Sequence, residues 1–196
     1  MSRIKKLEVE NWDPELREMT RADSASPLEQ GLMRMFAHTP DIAKNFGKFG
    51  GALKMYRTLP DRLVELVRLR VAFHNQCRSC MAIRYTDAVN AGVTEDLVCS
   101  LENPPAADNL SDAEKAAIAY GEMMATNHLQ IDDGVYENLR KYFTEAQIVE
   151  LGITVALFVG YGRLAATWHM VEELPKQFQE TEGRMAPWMT DFVQVR

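Results

Sequence analysis

Apolar residues recur at helical spacing along most of this chain, and polar or charged residues fill the positions between them. No segment of more than about five residues alternates apolar and polar side chains in the way that a half-buried strand would. The pattern therefore predicts an all-α fold, with helices near residues 13–22, 27–37, 40–57, 60–75, 78–91, 94–102, 111–127, 132–142 and 145–171.

Helix starts are marked by two local signals. Proline occupies the first predicted helical position at several starts, where its missing N–H costs nothing: Pro14, Pro27, Pro40 and Pro60. Three other pairs have the capping-box spacing, in which each residue satisfies a backbone donor of the other: Ser26 with Glu29, Ser111 with Glu114, and Thr144 with Gln147. The glycines at 50 and 51 are the place where the helix over 40–57 could break.

The chain divides into three parts by pattern. We assign residues 1–39 to an N-terminal helical extension, 40–171 to one helical domain and 172–196 to a C-terminal tail without periodicity. The tail either packs on a neighbouring subunit or has no fixed position. In the last long helix Gly152, Ala156 and Gly160 form a stripe of small side chains, which predicts close approach of another helix.

Length and charge narrow the function classes. A chain of 196 residues with 46% hydrophobic and 26% charged residues is long enough for one well-buried domain. A net charge of −6 without a clustered basic run argues against nucleic acid and against an anionic membrane surface. The N-terminus lacks the apolar run of a signal peptide, so we expect a cytoplasmic protein. The apolar run 151–161 is too short for a membrane span and predicts a buried helix.

Two cysteines three residues apart, Cys77 and Cys80, are the strongest candidate for chemistry. The chain has three cysteines, and in a reducing compartment a CxxC pair is more often catalytic or metal-binding than structural. The spacing also permits a zinc site with His74 and Cys99, but the second paired set of ligands typical of structural zinc is missing. No metal or cofactor is expected, and Cys99 is predicted to be a small buried side chain.

Three ionisable residues near this pair have competing interpretations. Glu65, on an apolar helix, is either a buried acid or base or the ion-pair partner of Arg62 or Arg68. Arg84, one helical turn after Cys80, either stabilises a thiolate or pairs at the surface with Asp87. His74 lies half a helical turn out of phase with Glu65, so the two should face opposite sides.

The sequence resembles the alkylhydroperoxidase D-like branch of the carboxymuconolactone decarboxylase family. The similarity covers about residues 40–171 and rests on four segments: Leu59–Ala72, Asn75–Ala82, Leu110–Ala117 and Phe143–Leu151. A CxxC preceded by a glutamate twelve residues before its first cysteine is a fairly specific signature of that branch.

The resemblance implies a helical fold that forms trimers or hexamers and a dithiol that reduces hydroperoxides. By similarity Cys80 attacks the peroxide, Cys77 resolves the sulfenic acid as a disulfide, and Glu65 belongs to a proton relay. The reductant implied is a lipoyl-bearing or thioredoxin-like dithiol protein. This chain has Arg84 where relatives carry a relay histidine, so the proton must take another route. Its source is then either Glu65, acting through a water molecule, or Tyr85.

Two alternatives to a peroxidase follow from the same residues. The first is lactone decarboxylation, the namesake activity of the family, which requires a base in a polar pocket and no pair of thiols. The second is a redox-responsive oligomer, in which the dithiol closes once and changes the assembly without turnover.

Overall fold

The computed structural model describes residues 2–179, 183–188 and 192–196. Within these ranges the chain forms twelve α-helices and two short strands. In chain order they are α1 (Pro14–Met19), α2 (Pro27–Gln30), α3 (Met33–Phe36), α4 (Pro40–Met55), α5 (Asp61–Asn75), α6 (Arg78–Ala82), β1 (Ile83–Tyr85), α7 (Thr86–Asn90), α8 (Glu95–Cys99), α9 (Asp112–Thr126), α10 (Asp133–Arg140), α11 (Glu145–Trp168), α12 (Lys176–Gln179) and β2 (Val193–Val195).

The core is built by α5, α9 and α11. Helix α5 is buried on most sides, because nine of the ten residues from Leu63 to Ala72 are buried and Arg70 is the exception. Helix α9 approaches α5 closely at Gly121, where an added Cβ would lie 2.9 Å from the Val67 side chain. These contacts confirm a mainly helical fold and hold α5 rigidly in the middle of it.

The predicted helix starts are largely confirmed. All three capping boxes form, with both reciprocal hydrogen bonds present at Ser26, Ser111 and Thr144. Pro60 precedes α5 rather than opening it, since that helix begins at Asp61. Helix α4 continues through Gly50 without a break.

Two predicted helices are divided. The helix expected over 27–37 splits into α2 and α3 because Gly31 takes a left-handed φ of 47°. The helix expected over 78–91 is interrupted by β1, which pairs in parallel with β2 in the register Ile83 to Val193 and Tyr85 to Val195. A strand so short exists only because its partner arrives from the far end of the chain, so the local pattern contains no signal for it.

The N-terminal extension and the C-terminal tail are fastened to each other and to the helical core. Val9, Trp12 and Leu16 pack in a small cluster with Ala43 of α4. Arg34 of α3 is buried, and its guanidinium donates a hydrogen bond of 2.8 Å to the carboxylate of Glu173. The tail residues that are described therefore pack on their own chain.

Helix α11 is covered on one side only, which corrects the expectation of a buried helix. By length and composition it could cross a membrane: its 18-residue window has a mean hydropathy of 1.6, and 28% of that window is buried. Val149 and Ile153 are exposed, as are Ala156 and Gly160 of the small-residue stripe. Within the described chain the stripe makes close contact only at Gly152, where an added Cβ would lie 3.3 Å from the Tyr120 hydroxyl.

Candidate active site

The redox loop, residues 76–80, starts where α5 ends. Asn75, the last residue of α5, lies against Gly162 of α11, and its Nδ2 donates a hydrogen bond of 2.9 Å to the Phe158 carbonyl. A side chain at position 162 would collide with this amide. The glycine thus fixes the end of α5 and, with it, the start of the loop.

Gln76 turns the chain from α5 into α6 in a left-handed conformation, with φ 51°. That conformation costs a non-glycine residue about 1–2 kcal/mol, and two hydrogen bonds to the tail offset the cost. The Met185 N–H donates to Gln76 Oε1 at 2.9 Å, and Gln76 Nε2 donates to the Met185 carbonyl at 3.0 Å. The C-terminal tail therefore holds the redox loop.

Cys77 and Cys80 are joined in a disulfide whose Cα atoms lie 5.2 Å apart. Cys77 also caps α6, since its Sγ accepts the Cys80 N–H at 3.3 Å. Ser79 Oγ lies 3.6 Å from the same sulfur. The two cysteines differ in accessibility: Cys77 is 0% exposed, whereas Cys80 is only partly buried.

Glu65 is 3% exposed and forms a bidentate ion pair with Arg68, at 2.6 and 2.7 Å. Of the two partners expected, Arg68 is the one that binds it, while Arg62 pairs with Glu114. Burial alone would lower the pKa of Arg68, but the charge of Glu65 and its hydrogen bonds outweigh burial and raise it. This ion pair is buried next to the redox loop.

Arg68 connects this ion pair to the redox segment. Its guanidinium donates to the carbonyls of Cys80, at 2.6 Å, and Ile83, at 3.0 Å. The ring of Tyr85 covers the guanidinium with its centroid 5.0 Å away, and 39% of Tyr85 is exposed. Sequence reasoning considered Arg68 only as a partner of Glu65; its reach to the cysteine carbonyl depends on how α6 folds back, which spacing does not reveal.

Arg84 is buried, and its ion-pair partner is not the one expected. Helix α6 ends at Ala82, so Arg84 does not continue the face that carries Cys80. It is 1% exposed and pairs with Glu95 at 2.9 and 3.0 Å, while Asp87 pairs with Lys54 instead. The expected surface pair with Asp87 is therefore wrong, because Arg84 is buried and binds a carboxylate eleven residues further along the chain. A role of Arg84 in stabilising the thiolate stays a prediction.

Arg84 instead holds the tail. It donates to the Pro187 carbonyl at 2.6 Å and to the Met81 carbonyl at 2.8 Å. Together with the β1–β2 pairing, this contact places the tail on the residues that follow Cys80.

His74 faces away from Glu65, as the helical phase predicts. Its Nε2 lies 3.2 Å from Glu122 Oε1, and Arg70 pairs with the same carboxylate at 2.8 Å. Burial is the main cause that lowers the pKa of His74. His74 therefore belongs to a polar cluster between α5 and α9.

Cys99 is exposed, which corrects its prediction as a buried residue. It lies at the end of α8, and α8 buries Leu97 and Val98 in its place. Among the described residues no group of three potential ligands is arranged to hold a metal ion.

A chamber of about 790 Å³ opens beside Cys80. Its polar lining includes Ser79, Glu65, Arg68 and Tyr85. Its other aromatic residues come from three helices: Phe36 of α3, Phe46 of α4, and Phe158 and Tyr161 of α11. Val195 and Arg196 of the tail also line it. Cys80 is the cysteine that lines this chamber, so a ligand inside it meets Cys80 rather than Cys77.

Every carboxylate that lines the chamber is paired with a cation. Besides Glu65, these are Glu29 with Arg196, Asp61 with Arg57, Asp87 with Lys54, and Glu173 with Lys6 and Arg34. The chamber therefore offers no uncompensated negative charge.

The sequence is similar to one known protein family and to several bacterial proteins. Residues 40–123 match the model of the carboxymuconolactone decarboxylase family. An uncharacterized protein of Mycobacterium tuberculosis (strain ATCC 25618 / H37Rv) is 33% identical over 117 residues, which cover 58% of this chain and 40% of the relative. The uncharacterized protein YdfG of Bacillus subtilis (strain 168) is 28% identical over 102 residues, covering 52% of this chain and 69% of that protein. This chain thus spans two fifths of the length of the mycobacterial relative.

Two solved structures share the fold at 19% identity. One is an alkylhydroperoxidase AhpD core, an uncharacterized peroxidase-related protein from Ralstonia eutropha JMP134; its TM-score is 0.69, and the match covers 91% of this chain and 94% of that one. The other is the apo debrominase Bmp8, with a TM-score of 0.68 over 85% of this chain and 90% of that one. A second structure of Bmp8 contains 2,3,4-tribromopyrrole.

Proposed function

Because the chain belongs to the carboxymuconolactone decarboxylase family and has the alkylhydroperoxidase D-like fold, we propose that it is a thiol-dependent peroxidase that reduces hydroperoxides with Cys77 and Cys80. The observation that carries the proposal is the asymmetry of the disulfide. Cys80 lines the chamber, whereas Cys77 is sealed behind it at 0% exposed. Substrate in the chamber therefore reaches the sulfur of Cys80. The sulfur of Cys77 lies next to it and can attack the sulfenic acid that forms there.

The reaction starts from the reduced pair. The Cys80 thiolate attacks the distal oxygen of the hydroperoxide, so that an S–O bond forms as the O–O bond breaks and the alkoxide leaves. A proton converts the alkoxide into an alcohol. Cys77 then attacks the Cys80 sulfur, the S–S bond forms, and the hydroxyl of the sulfenic acid leaves as water. Two thiols are oxidised, and one hydroperoxide is reduced to an alcohol and water.

Tyr85 is the proton donor that the geometry favours. It lines the chamber with Cys80, and its phenol is a hydrogen-bond donor. Glu65 is less suited to this step, since both of its oxygens accept hydrogen bonds from Arg68. We assign Glu65 and Arg68 as positioning residues that hold the Cys80 carbonyl, and not as the relay that the family resemblance implies.

The cycle closes when an external dithiol attacks the disulfide and leaves as a disulfide itself. A lipoyl-bearing or thioredoxin-like protein has the required chemistry. The exposed apolar side of α11, with Val149 and Ile153, supports assembly of the chain as a trimer or hexamer. Light scattering after size exclusion tests the assembly, and a monomer at micromolar concentration would contradict it.

A second candidate is reductive dehalogenation of an aromatic ring. The aromatic lining of the chamber favours it, and Bmp8, which has the same fold, is named as a debrominase. The electrons balance equally well: two thiols become the disulfide, an aryl carbon–bromine bond becomes carbon–hydrogen, and bromide and a proton are released.

The test uses protein reduced with dithiothreitol, freed of excess reductant and then supplied with a hydroperoxide and fresh dithiol. We expect many turnovers in wild type, loss of turnover in Cys80→Ser, and wild-type turnover in Cys99→Ser, whose exposed thiol is the matched control. A single stoichiometric oxidation would favour the redox-responsive oligomer. Release of bromide from a bromopyrrole without peroxide consumption would favour dehalogenation, and lactone decarboxylation that survives Cys80→Ser would favour the namesake activity.

A further inference from the structure

Three of the aromatic rings that line the chamber are in contact with one another and form an aromatic wall: Phe36, Phe46 and Tyr161. The rings of Phe46 and Tyr161 are 4.4 Å apart, and Phe36 meets them edge-on at 5.4 and 6.0 Å. Trp168 supports Phe36 from a further side at 5.6 Å. All three rings of the wall are partly buried, so each keeps some surface free towards the chamber.

The size of the chamber does not suit the smallest peroxide. Hydrogen peroxide is close to the size of a water molecule, which occupies about 30 Å³ in the liquid, whereas the chamber measures about 790 Å³. Sites of roughly 300–1,000 Å³ bind organic molecules of many heavy atoms. A hydroperoxide with a bulky organic group would displace water from the apolar wall and gain from its burial.

The wall favours an aromatic group over an aliphatic chain of the same size. Aromatic pairs in offset or edge-to-face geometry gain free energy beyond the area that they bury. The ring edges and faces of Phe36, Phe46 and Tyr161 present both geometries, with interplanar angles of 83° and 34° at Phe46. Each carboxylate of the lining is paired with a cation, which disfavours a positively charged ligand.

Resting on the proposed function, we infer that the preferred substrate is an arylalkyl hydroperoxide and that Phe36, Phe46 and Tyr161 determine this specificity. Phe36 lies outside the family match at 40–123, in the N-terminal extension, and Tyr161 lies beyond its other end. Phe46 lies inside the match, so the wall combines the matched segment with helices on either side of it.

The test compares cumene hydroperoxide, tert-butyl hydroperoxide and hydrogen peroxide as substrates. Wild type should have the highest kcat/KM for the aryl compound. In Phe46→Leu and Tyr161→Leu the ratio of that value to the kcat/KM for hydrogen peroxide should fall about three- to tenfold, which is the size of one aromatic contact. Phe49→Leu is the matched control on the same helix, because that ring is 45% exposed and does not line the chamber.

Two results would overturn the inference: no preference for the aryl compound in wild type, or an equal loss for all three peroxides in the variants. Binding of cumyl alcohol, the expected product, to the disulfide form separates this inference from the proposed function, because it needs no turnover. Calorimetry should show binding that weakens in Phe46→Leu. If cumyl alcohol binds but no peroxide is turned over, the proposed function is refuted and the aromatic site stands. If peroxides are turned over but cumyl alcohol does not bind and cumene hydroperoxide is not preferred, the aromatic site is refuted and the proposed function stands.

Discussion

Replacing Glu65 by leucine should leave the Arg68 guanidinium buried without its counter-charge. The carboxylate is 3% exposed and makes two short hydrogen bonds to Arg68, so water cannot take its place without opening the core. Loss of one partner of a buried ion pair typically costs about 3–5 kcal/mol. At roughly 2.1 cal/mol/K of unfolding entropy per residue, this chain should lose about 7–12 °C in Tm.

The assay is thermal unfolding of the disulfide form, followed by circular dichroism at one protein concentration. Arg140→Gln is the control, since it breaks an ion pair with Glu145 whose side chains are 50% and 71% exposed, and it should shift Tm by no more than about 3 °C. The double variant Glu65→Leu/Arg68→Met removes both charges and should recover part of the loss. A Tm within 2 °C of wild type in Glu65→Leu, or additive losses in the double variant, would refute the role of this pair.

Three further outcomes are expected. Arg84→Met removes the contacts to Glu95 and Pro187 and leaves a buried site unfilled, so limited proteolysis should cleave the tail faster than in wild type, and an unchanged cleavage rate would contradict the anchoring role. Tyr85→Phe should lower peroxide turnover at least about tenfold, since general acids contribute roughly 10²–10⁴, at unchanged Tm; full activity would assign the proton to water. The hydrogen bond from Arg196 is the main cause that lowers the pKa of Glu29 to about 2, from an ordinary 4.5. Because the folded-state pKa is the lower one, this contact is complete above about pH 4.5 and weakens as the pH falls towards 2. The protection factors of the Val193–Val195 amides, taken against the intrinsic exchange rate at each pH, should fall in that window, and Glu29→Gln should abolish this fall.

Local signals in the sequence predict the helices well, because caps and periodicity act within a few residues. The three capping boxes form as expected, and the opposite orientation of Glu65 and His74 follows from helical phase alone. What the sequence could not predict depends on contacts between distant segments. Strand β1 requires β2, more than a hundred residues later.

The same distinction explains the errors at the candidate site. Arg84 was interpreted through the helix that carries Cys80, but that helix ends at Ala82 and the guanidinium meets Glu95 and the tail. The loss of periodicity in the tail predicts that it packs on a neighbouring subunit or has no fixed position, but Gln76 and Met185 exchange two hydrogen bonds within the chain. The aromatic wall had no sequence signal either, because its three rings come from three separate helices.

The measurement that tests the central proposal most directly is a thiol titration before and after one equivalent of cumene hydroperoxide. The reduced chain holds three thiols, and the proposal predicts that only Cys99 remains after oxidation. Cys77→Ser should form a sulfenic acid at Cys80 without a disulfide, and Cys80→Ser should keep both of its thiols. If wild type keeps all three thiols, or Cys80→Ser consumes peroxide as fast as wild type, the dithiol mechanism is wrong.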